Sequence, residues 1–289
     1  MQLINDHITV QVSALGAELT SLCRNGIEHL WQADPRYWKR HAPILFPIVG
    51  KVCGNSYRVD GHAYSLPQHG FARDSQFDVL KQSSDTLVLR LASSAATLAN
   101  YPYPFVLTAS YRLDGATLHC DWQVDNPADA PMYFQIGAHP AFCYPQFDAD
   151  DPMHGYLRLT RRGEPVGELR VRNLGDSGCV MAGTRAMPLD GGLLSLTQHL
   201  FDDGALILEG SQADSVTLMD QHHNPLLQVT FDAPLLGIWS PVNAPFCCIE
   251  PWYGRADDEG FAGDISQRPH IQQLAPHGTF TFRYDIALL

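Results

Sequence analysis

Apolar and polar residues alternate with a period of two along much of the chain. Leu87, Leu89 and Leu91 alternate with Val88 and Arg90. Phe105, Leu107, Ala109, Tyr111 and Leu113 alternate with Thr108, Ser110 and Arg112, and Leu118, Cys120, Trp122 and Val124 alternate with His119, Asp121 and Gln123. Side chains in an extended chain point to opposite faces in turn, so each run predicts a strand with one buried face. Asp114-Gly115 falls between two of these runs, and Asp60-Gly61 falls between residues 57–59 and 62–64. Both predict tight hairpin turns. Further strands are expected at 203–208, 215–219, 226–231 and 279–286. Helical signals are few. Asp34-Pro35 ahead of Arg36-Tyr37-Trp38-Lys39-Arg40 supplies an N-cap and a proline at the first helical position, which predicts about two turns. Residues 93–99 predict a second short helix, closed by Tyr101-Pro102-Tyr103-Pro104. No long amphipathic helix, βαβ alternation or fixed repeat occurs. The pattern therefore predicts an all-β fold, an antiparallel sandwich or barrel with few short helices, and no composition break divides residues 1–289 into more than a single domain.

Composition narrows the function classes. With 19 Lys and Arg against 31 Asp and Glu, the chain carries a formal charge of −12. That argues against nucleic-acid or polyphosphate partners, which require a concentrated basic face. Apolar residues make up 45% and charged residues 17%, enough to build a core and too few charges for a disordered chain. No apolar stretch approaches the roughly 18–20 residues of a membrane span, and residues 1–10 lack the pattern of a secretory leader. The seven cysteines are scattered and form no C-x-x-C pair. They read as reduced thiols in a cytoplasmic protein. In a strand, the adjacent Cys247 and Cys248 would point to opposite faces.

Several short motifs carry no chemistry. Gly175-Asp176-Ser177-Gly178 matches four letters of a serine-protease nucleophile segment, but it runs into Cys179-Val180 and reads as a turn. Asp257-Asp258-Glu259 lacks the spacing of a calcium loop and reads as a solvated acidic loop. His222-His223 before Asn224-Pro225 reads as a turn, and no zinc, P-loop or dinucleotide fingerprint is present.

Four segments resist a purely structural reading: LFPIVGK ending at Lys51, HGFARD with His69 and Arg73, GAHPAF with His139, and CIEPWYGRAD with Glu250 and Trp252. Each sets an ionisable group among rings, glycines and prolines, where a buried charge is costly unless paired. His139 and Glu250 each precede a proline, which favours an extended backbone there. Trp239, Trp252, Tyr253 and Phe142 offer flat apolar faces nearby. Flat faces beside a few polar groups suit a sugar. Taken singly, each residue has an ordinary explanation: a structural histidine, a Glu pairing with Arg255, an Arg73–Asp74 surface ion pair.

In these motifs, which keep the family's order from about His41 to Asp257, the chain resembles the aldose 1-epimerase (galactose mutarotase-like) family, in its LacX-like branch. VSALGAELTSL and HLFDDGALIL at the flanks also resemble family strands. The resemblance implies a large antiparallel β-sandwich, the galactose mutarotase-like supersandwich, with a small-molecule sugar bound in an open cleft. It implies interconversion of aldohexose anomers with no cofactor and no metal, by a monomer or homodimer. It makes Glu250 the general base, His139 the general acid, His69 a second active-site histidine near the ring oxygen, and Arg73 a hydroxyl ligand. Many relatives carry Arg where this chain has Lys51, whose point charge cannot make a forked contact.

Anomer exchange needs one group to take the C1 hydroxyl proton and another to protonate the ring oxygen. A carboxylate beside an imidazole favours the charged form of each, so Glu250 is expected to keep His139 protonated near neutrality. On that expectation the rate falls below the carboxylate pKa and above the imidazolium pKa, and a profile flat from about pH 4 to 9 would contradict it. Two rivals remain from sequence: a hexose-6-phosphate mutarotase, which would want clustered Lys or Arg at the cleft, and a carbohydrate-binding protein with the fold but no turnover.

Overall fold

The alternating runs form strands, and their hairpins set the register. Strands Val106–Asp114 and Thr117–Asp125 pair antiparallel from Val106 opposite Asp125 to Asp114 opposite Thr117. In the short hairpin Tyr57–Val59/His62–Tyr64, Asp60 (φ 50°) and Gly61 (φ 80°) are both left-handed, as a two-residue hairpin turn requires. The strands expected at 215–219, 226–231 and 279–286 form as Ser215–Met219, Pro225–Phe231 and Thr279–Leu288, while the one expected at 203–208 begins only at Leu206 and runs to Glu209.

The computed structural model describes residues 1–289. Its strands assemble into a 10-stranded and an 8-stranded antiparallel sheet, with a 4-stranded sheet at the N-terminus. Thr279–Leu288 and Thr117–Asp125 lie in the middle of the first sheet. In the second, the order runs Arg185–Pro188, Glu168–Arg172, Leu206–Glu209, Leu235–Trp239, Phe246–Tyr253, Ile136–Ala138, Ile44–Leu45, and the eighth strand, Ala141–Cys143, also pairs with Phe246–Tyr253. Cys247 and Ile249 of the 8-stranded sheet share one continuous apolar core with Leu118, Cys120, Trp122 and Val124 of the 10-stranded sheet. The two sheets thus face each other as a sandwich. No helix is long and apolar enough to cross a membrane.

The remaining sequence expectations meet mixed outcomes. The 93–99 helix is the single turn Ala95–Leu98, capped by Ser94 and Thr97 reciprocally. The two-turn helix at 34–40 does not form. Asp34 accepts the Tyr37 and Trp38 amides in one turn, and the Trp38 carbonyl is then taken by the Trp31 indole N–H at 2.8 Å. Trp38 leaves the turn to stack in the cleft described below, so tertiary packing overrides the local cap. The cysteines are not all separate thiols, since the structure pairs Cys53 with Cys179 across 126 residues, with Cα atoms 6.3 Å apart. The other five are free. Asp257 is not solvated: it is 2% exposed and bonded to Arg268. The Gly175–Gly178 and His222-His223 segments are turns, closed by Gly178 N–H to the Gly175 carbonyl and by His223 N–H to the Asp220 carbonyl.

Candidate active site

The site is built on the strand Phe246–Tyr253, which is buried along nearly its whole length. Alternation sends Cys247 and Ile249 into the core between the sheets. Phe246, Cys248, Glu250 and Trp252 therefore line the opposite face. There Phe246 and Cys248 join a small cluster with Trp31, packed against Trp38 and Trp239, and Trp252 joins another with Val49 and Leu235. Glu250 is the one ionisable carboxylate between them.

Register brings the partner histidine. The neighbouring chain pairs Gly137 with Trp252 and Ala141 with Cys248, so counting inward puts His139 opposite Glu250. His139 Nε2 stands 3.1 Å from Glu250 Oε2, with the two side chains 8% and 2% exposed. On the other flank Gly237 pairs with Glu250. Two glycines make room for the Trp252 indole: a Cβ on Gly137 would lie 2.5 Å, and one on Gly237 2.4 Å, from its ring atoms. Substituting Ala at either position should displace the indole and disturb Glu250. The check is a lowered thermal midpoint together with a changed tryptophan emission; unchanged values for Gly237→Ala would contradict the slot.

Around this pair the structure collects seven of the residues singled out from sequence, whereas Phe142 lies in the core and Tyr253 packs on Phe280 and Phe282. Lys51, His69, Arg73, His139, Trp239, Glu250 and Trp252 line one cleft of about 360 Å³. Sequence reasoning missed Trp38, which stacks on His139 with ring centroids 4.7 Å apart. It also missed the Gly204–Ala205 and Leu174–Gly178 walls. Trp38 sits three residues before the His41 segment, and its place was masked by the helix expectation.

His69 occupies a left-handed position (φ 66°) in the turn Pro67–Gly70, and Gly70 follows because a Cβ there would lie 2.2 Å from the Phe46 carbonyl oxygen. The Gly50 N–H donates to His69 Nδ1 at 3.1 Å. A ring nitrogen that accepts is unprotonated, so His69 is neutral, and its Nε2 lies 3.2 Å from the side-chain amide of Gln68. Its ring meets His139 edge-on at 5.5 Å. Arg73 donates to the Gln68 carbonyl at 2.6 Å, and Lys51 donates through Nζ to the Ser177 carbonyl at 3.1 Å. The lysine is thus a single-point contact holding the 175–179 turn beside the cleft.

Behind the cleft lies an ion-pair network that positions the 51–53 segment. Arg255 does not pair with Glu250; it bonds Glu209 and reaches Asp258 at 2.8 Å. Asp257 takes Arg268 Nε at 2.6 Å and the Cys53 N–H at 2.9 Å, while its own N–H donates to the Lys51 carbonyl.

Electrostatics overturn the expected protonation of the pair. Burial pushes the Glu250 carboxyl well above the usual carboxylate range, the Trp252 indole acting the other way. Burial also lowers His139 to about 3, a backbone hydrogen bond resisting and Arg73 and Arg40 adding to the fall. Desolvation disfavours the charged form of each partner. The resting pair holds one proton, on the carboxyl, and both gaining a second proton and losing the last one create a buried net charge.

A stability consequence follows. Burial lowers the pKa of His29, His41, His69, His139 and His154. The unfolded chain protonates these groups first, so their contribution is full above about pH 6.5 and is lost as pH falls toward the folded values. The thermal midpoint should drop from about pH 7 to about pH 5, and His69→Gln should flatten that slope. An equal or higher midpoint at the lower pH contradicts the sign.

The family model described as aldose 1-epimerase matches residues 1–259. The plasmid and chromosomal forms of protein LacX from Lactococcus lactis subsp. lactis are each 31% identical over 303 residues, covering 100% of this chain and 99% of the relative. Among solved structures, a galactose mutarotase related enzyme from Lactobacillus acidophilus has a TM-score of 0.91 at 31% identity, covering 100% of this chain and 97% of the other. A galactose mutarotase-like protein from Lactobacillus casei has a TM-score of 0.90 at 30% identity, covering 100% and 99%.

Proposed function

The chain belongs to the aldose 1-epimerase family, and from that premise we propose that it interconverts the α and β anomers of a neutral aldohexose by acid–base opening and closure of the ring. The observation that carries the reading is the Glu250–His139 pair, 3.1 Å apart and buried at the floor of an aromatic cleft. Sugar hydroxyls entering the cleft donate to the Glu250 carboxylate and favour the tautomer with the proton on His139. Glu250 then takes the proton of the C1 hydroxyl while His139 gives its proton to the ring oxygen. The bond from C1 to the ring oxygen breaks and the C1 carbonyl forms. Rotation about C1–C2 presents the other carbonyl face, and reversal of both transfers closes the opposite anomer. Each transfer contributes about 10²–10⁴-fold, and holding the open chain in place adds the rest by orientation. His69 and Arg73 serve sugar oxygens, and Trp239 and Trp252 supply apolar faces. One domain over residues 1–289 belongs to the same reading, supported by a core that runs from Leu3 to Leu288.

A neutral substrate is favoured over a hexose 6-phosphate because Lys51 and Arg73 are the only Lys or Arg lining the cleft, and each is engaged by a backbone carbonyl. Polarimetry of freshly dissolved α-glucose, α-galactose and their 6-phosphates tests this. The expected result is faster decay to equilibrium for a free sugar. Acceleration of the phosphates alone would transfer the reading to a sugar-phosphate mutarotase, and binding without acceleration would make the protein a lectin-like relative.

A further inference from the structure

Cys248 has no part in the reaction above, yet it shares a face with Glu250 two residues along the same strand. We propose that Cys248 Sγ, His139 Nε2 and a Glu250 carboxylate oxygen form a binding site for a thiophilic divalent cation such as Zn²⁺, which switches the acid–base pair off. The three ligand atoms lie within 4.8 Å of one another, and all three residues are buried. Glu250 Oε2, 2% exposed and 3.1 Å from His139 Nε2, makes no well-aligned hydrogen bond, so this buried oxygen is free to turn to an ion.

The donor set selects the ion. Tetrahedral zinc bonds of about 2.0–2.3 Å place ligand atoms roughly 3.5 Å apart. The nitrogen–oxygen spacing of 3.1 Å already suits that geometry, and the sulfur has about an ångström to close. One thiolate, one imidazole and one carboxylate leave a fourth position toward the cleft, the arrangement of an open zinc site. Ca²⁺ and Mg²⁺ want oxygen-rich shells that these residues do not provide. Charge balances as well. On binding, the thiol proton and the proton shared by Glu250 and His139 pass to solvent, and two anionic ligands then cancel the ion's two positive charges in a buried place. With the ion seated, neither Glu250 nor His139 can exchange a proton with a sugar.

The inhibitory half of this proposal rests on the epimerase reading, whereas the binding half does not. Co²⁺ titrated into the full-length protein reports binding without any sugar, because tetrahedral thiolate coordination gives intense visible bands and a sulfur charge-transfer band. One equivalent with both signals is expected, displaced by Zn²⁺. Cys248→Ser should abolish the charge-transfer band and weaken affinity by about tenfold or more, while Cys23→Ser, at a half-buried thiol, should change neither. Cys248→Ala gives the same test if the serine variant is unstable. With a sugar, Zn²⁺ should inhibit the wild type, and Cys248→Ser should keep its metal-free exchange rate but need about tenfold more Zn²⁺. A charge-transfer band that survives in both Cys248 variants, or no equimolar binding by the wild type, overturns the site. Failure of exchange by the metal-free wild type would count against the epimerase reading and leave the Co²⁺ result to decide the site.

Discussion

Glu250→Gln should slow anomer exchange by about 10²–10⁴-fold while sugar affinity changes only a few-fold. Glutamine keeps the shape of the side chain and cannot take a proton, so the substitution removes the base without emptying the cleft. The same change should leave the protein at least as stable. The carboxyl is held above its ordinary range by burial, so a neutral amide loses nothing that a carboxylate supplied to folding. Exchange rates measured beside sugar-induced changes in Trp38 and Trp239 emission separate turnover from binding. A Glu250→Gln variant with a rate close to wild type would remove the carboxylate from the mechanism.

The second large effect is on stability and lies behind the cleft. Arg268 and Asp257 form an ion pair with side chains 0% and 2% exposed and 2.6 Å between partners. Deleting one partner strands the other charge in the interior, which costs about 3–5 kcal/mol, a large share of the roughly 5–15 kcal/mol that holds a domain folded. Arg268→Met should therefore lower the urea midpoint sharply. The double variant Arg268→Met/Asp257→Leu should recover much of the loss, since it removes the stranded charge as well. Asp257 also holds the Cys53 N–H and, through its own N–H, the Lys51 carbonyl. Arg268→Met should consequently weaken sugar binding even below its unfolding midpoint. A loss under about 1 kcal/mol in the single variant would show the pair to be solvent-screened in practice.

Much of the fold was legible because the strands carry their burial in their alternation. Val106–Asp114 buries Leu107, Ala109, Tyr111 and Leu113 and turns the intervening residues out. The strand Phe246–Tyr253 was not among the expected strands: covered on both faces, it shows no alternation, and only its motif and the extended backbone before the proline after Glu250 marked it. The 34–40 segment was misread because its cap is local and genuine, while what ends it is the Trp31 indole and the stacking of Trp38 on His139. The same long-range cause hid Trp38 from the site. Asp257 was misread because an acidic triplet resembles a surface loop until Arg268 is seen beneath it. The protonation of the Glu250–His139 pair could not be read from adjacency, since its sign depends on how much water reaches the pair, and that is a property of the folded cleft.

The most direct measurement is saturation-transfer NMR of anomeric exchange in equilibrated galactose and glucose, with and without the protein, across pH. Accelerated exchange is expected for at least one sugar, with a broad plateau through neutrality. His139, lowered to about 3, takes up a second proton only in strong acid, and Glu250, raised by burial, gives up the last one only well above its ordinary range. Exchange no faster with protein than without it, at every pH and with the sugar demonstrably bound, would contradict turnover by the Glu250–His139 pair.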